Sequence, residues 1–193
     1  MQHQNKKITD MKRIRRLYED GVSFTAFDTE TTGITPSSCR IIEIGAVKFN
    51  KDGIIQTWNR LFYPEQQIPP FITQLTHITQ AMVDVEDRIS CHLPDFIDFL
   101  SDSVIIAHNA QFDLNFLNSE CGRCNLPLSK NRFIDTLQLS RQKFPALQSH
   151  KLDYLADYLK IDKGSSHRAQ DDANTCKKLF EFCLNYAVPF QGL

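Results

Sequence analysis

The stretch SFTAFDTETTG, residues 23–33, decides the fold of this chain. Residues 23–28 are rich in aromatic and β-branched side chains, which predicts a strand that ends in acids. Alternate side chains of a strand point to the same face, so we expect Asp28 and Glu30 to lie side by side. Two carboxylates so placed repel each other unless a cation lies between them. The stretch indicates either a site for a hard divalent cation or a strand-end turn with two solvated acids.

Further strands and helices follow in an order that predicts the fold class. Residues 41–49 predict a second strand, and a turn at 50–53 leads into a third strand at 54–62. A proline-containing loop and short helical pieces follow before residue 83. Two more strands are then predicted, at 103–107 and 132–135. Helices are predicted at 94–101, 111–120, 136–142, 151–159 and 168–186. A three-stranded meander followed by alternating strands and helices predicts an α/β domain with a mixed central sheet covered by helices.

A helix is predicted at residues 8–20, before the first strand, and Gly21 marks its end. Its apolar positions lie roughly on one face, and its other face is basic. A basic face of this kind is typical of a solvated helix surface, although it also fits a phosphate backbone. We therefore divide the chain into an N-terminal helical extension, residues 1–22, and one domain, residues 23–188.

The composition is that of one ordinary globular domain. The 193 residues are 41% hydrophobic, and the net charge of −1 gives no sign of a broadly basic nucleic-acid-binding surface. No apolar run approaches the roughly 18 residues of a membrane span. The opening residues MQHQNKK lack the apolar region of a secretory signal. We therefore expect a cytoplasmic protein without a membrane partner.

The six cysteines lack the density of a disulfide framework. Cys176 and Cys183 fall seven positions apart on an apolar helix face, which predicts small core residues. Cys121 and Cys124 form a lone C-x-x-C without two further ligands for zinc. We interpret these two as ordinary thiols in a loop.

A third acid, Asp113, follows the predicted strand 103–107 through a polar turn. A strand that ends in such a turn, followed by a helix, projects a carboxylate of the first helical turn past the sheet edge. The alternative is that Asp113 only complements the helix dipole.

A fourth acid and a histidine lie at the start of the last predicted helix. Residues 164–166 (GSS) form a flexible loop with capping residues, which leaves His167 at the helix entrance. Five residues of helix rotate by about 500°, so His167 shares a centre with Asp172 only if it lies in the loop. Asp171 points about 100° away from Asp172 and is predicted to be solvated.

Four acids and one histidine match the needs of phosphodiester hydrolysis. Two metal ions about 3.5–4 Å apart activate a water molecule and stabilise the leaving oxygen. Four carboxylates offset the charge of two divalent cations, and a histidine, which titrates near neutral pH, accepts the proton of the water.

Three ordered motifs, FDTETTG (27–33), AHNAQFDLNFL (107–117) and HRAQDDA (167–173), resemble those of the DEDDh exonucleases. This subgroup of the DEDD superfamily includes the proofreading epsilon subunit of DNA polymerase III and the exonuclease domain of Gram-positive replicative polymerases. IIEIGAV, LTHIT and FIDTL are also similar, so the resemblance extends from about residue 23 to residue 186. The other subgroup carries tyrosine where His167 stands, which favours the histidine subgroup.

The resemblance implies an RNase H-like fold with a mixed five-stranded central sheet flanked by helices. It also implies a 3′→5′ exonuclease that releases 5′-mononucleotides. By motif position, Asp28, Glu30, Asp113 and Asp172 become the ligands of two divalent cations, Mg²⁺ or Mn²⁺. Asp28 bridges the two ions, and His167 becomes the general base.

The resemblance further implies that seven residues contact the substrate: Glu30, Thr31, Leu75, Thr76, Asn109, Phe112 and His167. Phe112 equally fits ordinary core packing, and Asn109, with His108, fits a role in ordering the turn. Relatives often carry glycine where His77 stands, so we expect the loop beside Leu75 and Thr76 to differ from theirs.

The implied partners are single-stranded or frayed 3′ ends of DNA, and a polymerase or repair protein. An exonuclease that grips only a few nucleotides does not need a broadly basic surface. One alternative is an exonuclease that trims RNA or oligoribonucleotides. Another is a catalytically silent binding module of a replication or repair complex, although such a module typically lacks an acid and all four are present. Little sequence follows the last predicted helix, so we expect no long polymerase-binding tail.

Overall fold

The computed structural model describes residues 5–165 and 167–186. Its centre is one sheet of five strands: β1 (Phe24–Thr31), β2 (Ile41–Asn50), β3 (Gly53–Leu61), β4 (Val104–Ala107) and β5 (Phe133–Asp135). The strand order is β3-β2-β1-β4-β5. The first three strands pair antiparallel, and β1, β4 and β5 pair parallel. The predicted mixed five-stranded sheet is therefore confirmed.

Helices cover the two faces of the sheet. They are α1 (Met11–Glu19), α2 (Pro70–Thr76), α3 (Gln80–Val83), α4 (Leu93–Leu100), α5 (Ala110–Arg123), α6 (Thr136–Lys143), α7 (Leu152–Leu159) and α8 (Ala169–Asn185). On one face, Phe27 of β1 packs in a core with Phe96 of α4 and Phe116 of α5. On the other face, Phe24 packs with Phe180 of α8. Asp28 and Glu30 alternate with Phe27 and therefore share the face of Phe24.

The N-terminal segment begins its helix later than predicted. Ile8 donates its backbone N–H to the carbonyl oxygen of Phe133 at 2.8 Å, so it extends the sheet edge at β5 instead of starting a helix. The Asp10 side chain then caps α1 by accepting from Lys12 N at 2.9 Å. Ile8 and Ile14 are buried in the core beside α8. Residues 1–4 of the predicted N-terminal extension and residues 187–188 of the predicted domain lie outside the described residues.

Helix α5 is longer than predicted, which corrects the interpretation of the C-x-x-C. Cys121 is a buried residue of this helix rather than a loop thiol, and Cys124 is the helix C-cap. Cys176 and Cys183 are buried in α8, as predicted. Among residues 5–165 and 167–186, no helix is long and apolar enough to cross a bilayer.

His77, the C-cap of α2, adopts a left-handed conformation with φ of 59°. Its backbone N–H donates to the carbonyl oxygen of Thr73 at 2.9 Å and so closes the helix. Glycine is the residue that takes this conformation most readily. His77 therefore ends α2 in a backbone conformation that glycine would also adopt.

Gly45 on β2 lets the start of α8 lie directly on the sheet. A Cβ at this position would lie 2.1 Å from the backbone nitrogen of Gln170. Gly45 pairs with Asp28 across the two strands, so α8 begins beside the first acid. The glycine in IIEIGAV thus brings the last helix close to the end of β1.

We expect Gly45→Ala to lower the stability of the protein by about 1–3 kcal/mol, because the backbone of α8 must move away. Activity is expected to fall with it, because His167 and Asp172 flank that helix start. Gly122→Ala is the matched control, since a Cβ there meets nothing within 4 Å. Alanine near the end of α5 is expected to stabilise the chain by about 0.5–1 kcal/mol. Thermal unfolding measures both changes, and an unchanged Tm for Gly45→Ala would contradict the close packing.

Candidate active site

The end of β1 carries the first two acids. Glu30 is buried and Asp28 is partly buried, and within the described part of the chain neither forms a salt bridge to lysine or arginine. Burial, followed by the carboxylates of Asp113, Glu30 and Asp172, raises the pKa of Asp28 well above its ordinary value. Burial, followed by Asp172 and Glu43, raises the pKa of Glu30 to about 8. Negative charge is therefore concentrated at one strand end.

Asp113, in the first turn of α5, is attached directly to β1. Its Oδ1 accepts from the backbone N–H of Thr29 at 3.0 Å and from the Thr29 hydroxyl at 2.8 Å. Burial raises the pKa of Asp113 to about 7, although the hydrogen bonds from Thr29 lower it. Complementing a helix dipole does not explain these bonds, which hold the third acid beside the first two.

His167 and Asp172 complete the group from α8 and the loop before it. His167 precedes the helix in a left-handed conformation with φ of 62°. Its backbone N–H donates to Oδ2 of Asp172 at 3.0 Å. One ligand atom each from Glu30, His167 and Asp172 lies within 4.8 Å of the other two. Because His167 lies in the loop before α8, it can approach Asp172 of that helix, as the sequence predicted.

Asp171 is not merely solvated, contrary to the prediction. Its Oδ2 accepts from Ser165 N at 2.8 Å, and its carboxylate fills the space beside Gly164. Ser166, the third residue of the predicted capping loop, lies outside the described residues. Asp171 therefore fastens the loop that carries His167.

The four acids and the histidine fit divalent cations. Burial raises the pKa of Asp172 to about 6, so each of the four carboxyl groups has a raised pKa. No lysine or arginine among the described residues forms a salt bridge with any of them. Carboxylate oxygens are the ligands that Mg²⁺ and Mn²⁺ prefer, which leaves the imidazole of His167 available for proton transfer. A cation would supply the positive charge that this cluster lacks.

The sequence analysis missed Glu43, a buried acid of β2 directly opposite Glu30. Its two oxygens accept from the Arg168 guanidinium at 3.2 and 2.8 Å, and Oε2 also accepts from Ala169 N at 3.0 Å. Glu43 thus holds the residues that directly follow His167. The signal was present as a single charge in the apolar strand IIEIGAV.

The predicted substrate contacts lie in different environments. Thr31 is buried, and its hydroxyl donates to the carbonyl oxygen of Gly33 at 2.6 Å. Thr76 is also buried, and its hydroxyl donates to the carbonyl oxygen of Ile72 at 3.0 Å.

Leu75 is exposed, and Asn109 is exposed with φ of 70°. Phe112 is half-buried and packs against Phe116 with 5.0 Å between ring centroids. These contacts stay predictions, with Leu75 and Asn109 the most accessible of the five.

The chain is similar to known proteins in both sequence and fold. Residues 25–180 match the sequence profile of the Exonuclease family (RNase_T). This chain belongs to the exonuclease family. An exonuclease is a phosphodiester hydrolase, so the chemistry expected from the acids agrees with the family.

Two relatives of this exonuclease are replication proteins. It is 41% identical over 173 residues to DNA polymerase III subunit epsilon of Treponema pallidum (strain Nichols), covering 89% of this chain and 80% of that one. It is 39% identical over 157 residues to DNA polymerase III PolC-type of Caldanaerobacter subterraneus, covering 81% of this chain. It spans only 11% of that longer protein.

Solved structures show the same fold. Exonuclease X in complex with 5′ overhanging duplex DNA superposes with a TM-score of 0.67 at 26% identity, covering 85% of this exonuclease and 92% of that chain. Exonuclease I superposes with a TM-score of 0.75 at 18% identity, and the match covers 84% of this chain and 40% of that chain. The second likeness supports the fold alone.

Proposed function

We propose that this exonuclease removes nucleotides from 3′ ends of DNA with the help of two divalent cations, Mg²⁺ or Mn²⁺. The observation that carries the proposal is the approach of Glu30, His167 and Asp172 to within 4.8 Å of one another, beside the carboxyl groups of Asp28 and Asp113. DNA as substrate is supported by relatives that are DNA polymerase III proteins and by the exonuclease X complex with DNA. The same relatives support a polymerase as partner, and a repair protein stays the alternative.

Asp28, Glu30, Asp113 and Asp172 would hold the cations. When bound, the cations lower the pKa of a water molecule and stabilise charge on the leaving 3′ oxygen. Asp113 uses Oδ1 for the bonds from Thr29, which leaves Oδ2 available as a ligand. Asp172 uses Oδ2 for the backbone of His167, which leaves Oδ1 as a ligand.

His167 acts as the general base in this proposal. Its imidazole accepts the proton of the attacking water and, being partly exposed, releases it to solvent. The loop that carries it is held from both sides, by Asp171 at Ser165 and by Glu43 at Arg168. The imidazole is thus positioned before the substrate arrives, which saves the cost of ordering it during the reaction.

Metal ions are expected to stabilise the protein more at high pH than at low pH. The pKa of Glu30 is about 8 and that of Asp113 about 7, both raised above the ordinary values of an unfolded chain. Between about pH 4 and pH 8 the folded metal-free protein therefore binds more protons than the unfolded chain. Its free energy of unfolding falls as pH rises through that window.

Melting with EDTA and with Mn²⁺, at pH 6 and pH 8.5, measures this difference. The rise in Tm on adding Mn²⁺ is expected to be larger at pH 8.5, because Mn²⁺ no longer competes with protons for the carboxylates. An equal rise at both pH values would contradict the expectation.

The proposed substrate is tested with matched DNA and RNA strands that carry a 5′ label, both single-stranded and annealed with mismatched 3′ termini. We expect stepwise shortening from the 3′ end, faster on DNA and faster where the end is frayed. Faster shortening of RNA would assign the chain to the RNA-trimming alternative. No hydrolysis of either polymer at saturating Mn²⁺ would refute the proposed function.

A further inference from the structure

A second feature beside the acids is an open cleft of about 450 Å³ at the C-terminal ends of β4 and β5. Three segments line it. His108 and Asn109 follow β4, Arg141 lies on α6, and His150 and Lys151 precede α7. Apart from Asn109, none of these residues belongs to the site described above.

The cleft borders the acid cluster. The backbone N–H of Asn109 donates to Oδ1 of Asp135 at 3.1 Å, and Asn109 is the N-cap of the helix that carries Asp113. The carboxylate of Asp135 is close enough to Asp113 to raise its pKa, after burial and the hydrogen bonds. A polymer whose last phosphodiester bond lies at the acids therefore has a path into the cleft.

The charge of the cleft is positive. Arg141 and Lys151 are both exposed, and within the described part of the chain neither forms a salt bridge. Asp135, whose Oδ1 accepts from Asn109 N, already pairs with Lys7 at 3.4 Å and accepts from Leu137 N at 3.0 Å. Two cations thus face the cleft without a protein carboxylate bound to them.

The walls of the cleft are held together by hydrogen bonds. His108 Nε2 donates to the carbonyl oxygen of His150 at 2.8 Å, and His108 Nδ1 lies 2.9 Å from Thr136 Oγ1. His150 Nδ1 lies 3.1 Å from Ser140 Oγ. The two histidines therefore connect the end of β4, helix α6 and the loop before α7. A preformed wall with two free cations suits a chain of phosphates.

We propose that this cleft binds backbone phosphates of the nucleic-acid strand on the 5′ side of the scissile bond, through Arg141 and Lys151. The proposal rests on the proposed function, because the acid cluster defines where the scissile bond lies. It explains how a chain with net charge −1 retains a polyanion: the positive charge is local and lies next to the cluster.

A similar cleft supplies the control. It measures about 490 Å³, lies at the N-terminal ends of β4 and β5, and carries Lys130 and Arg132. It lies at the opposite end of the sheet from the acids, so it cannot hold the same strand near the scissile bond. The control variant carries Lys130→Glu and Arg132→Glu. It has the same change in net charge as the variant with Arg141→Glu and Lys151→Glu, but at a distant cleft.

The test compares a 12-residue oligothymidylate with the dinucleotide of thymidine, which has no phosphate beyond the scissile one. For Arg141→Glu with Lys151→Glu we expect KM for the 12-mer to rise at least about tenfold, and the slope of log affinity against log salt to shrink by about two. The kcat/KM for the dinucleotide is expected to stay within about twofold, and the control pair is expected to change neither value.

An unchanged KM for the 12-mer, an equal loss on both substrates, or an equal effect of the control pair would each overturn the proposal. Arg141→Ala with Lys151→Ala repeats the test with a milder change if the glutamate pair lowers Tm. Fluorescence anisotropy with a 12-mer blocked at its 3′ end measures binding without hydrolysis. A loss of that binding in the variant supports the cleft even if the wild-type protein hydrolyses nothing, so the two proposals fail separately.

Discussion

Asp28→Asn is expected to abolish metal-supported hydrolysis and, at the same time, to raise the melting temperature of the metal-free protein. Burial, followed by the neighbouring carboxylates of Asp113, Glu30 and Asp172, raises the pKa of Asp28 well above its ordinary value. Losing one of the four proposed ligands is expected to remove several kcal/mol of transition-state stabilisation, on the order of a thousand-fold in kcat. Asparagine cannot ionise, so the variant avoids the cost of protonating a carboxyl group on folding, and its metal-free fold is expected to be more stable by about 1 kcal/mol.

Steady-state rates with Mn²⁺ and melting in EDTA measure the two effects on the same variant. Asp98→Asn, which changes an exposed acid of α4, is the control and is expected to change neither. A variant that loses activity and also unfolds at a lower temperature in EDTA would show that Asp28 is a structural residue. That result would contradict its assignment as a ligand.

His167→Asn is expected to lower kcat by about 10²–10⁴, with Mn²⁺ affinity within a few-fold of the wild-type value. Asparagine is chosen because His167 has a φ of 62°, which asparagine tolerates better than most residues. The backbone bond to Asp172 can therefore survive while the imidazole is lost. Single-turnover rates and calorimetric titration with Mn²⁺ separate the loss of the base from a loss of the cations.

His77→Asn makes the same substitution at a second left-handed histidine, with φ of 59°, and is expected to leave kcat within about twofold. A rise in KM at constant kcat in His167→Asn would make His167 a substrate contact rather than a base. An unchanged rate would exclude both roles.

The parts of the site that the sequence predicts depend on the geometry of single strands, helices and turns. Asp28 and Glu30 share a face because alternate residues of any strand do, and the strand pattern of residues 23–28 was strong. His167 was placed in a loop because Gly164 precedes it and because helix geometry separates it from Asp172. These inferences need only a few neighbouring residues.

The parts that were missed depend on contacts between distant segments. Glu43 meets Arg168 only after β2 is in register with β1 and α8 has docked against Gly45. Ile8 leaves its predicted helix because it pairs with Phe133, which lies far along the chain. The sequence around Glu43 or Ile8 carries no periodic pattern that reveals its distant partner. Such contacts therefore cannot be predicted from local sequence patterns.

The wide spacing of the acids has a consequence for the life of the protein. Glu30 is translated early, whereas Asp172 and the proposed base lie on the last described helix and its leading loop. On the proposed assignment, a nascent polypeptide is therefore expected to be inert until α8 has been translated and has packed on the sheet. On the proposed assignment of ligands and base, removal of α8 takes Asp172 away in one cut, so a fragment without this helix is expected to be inactive.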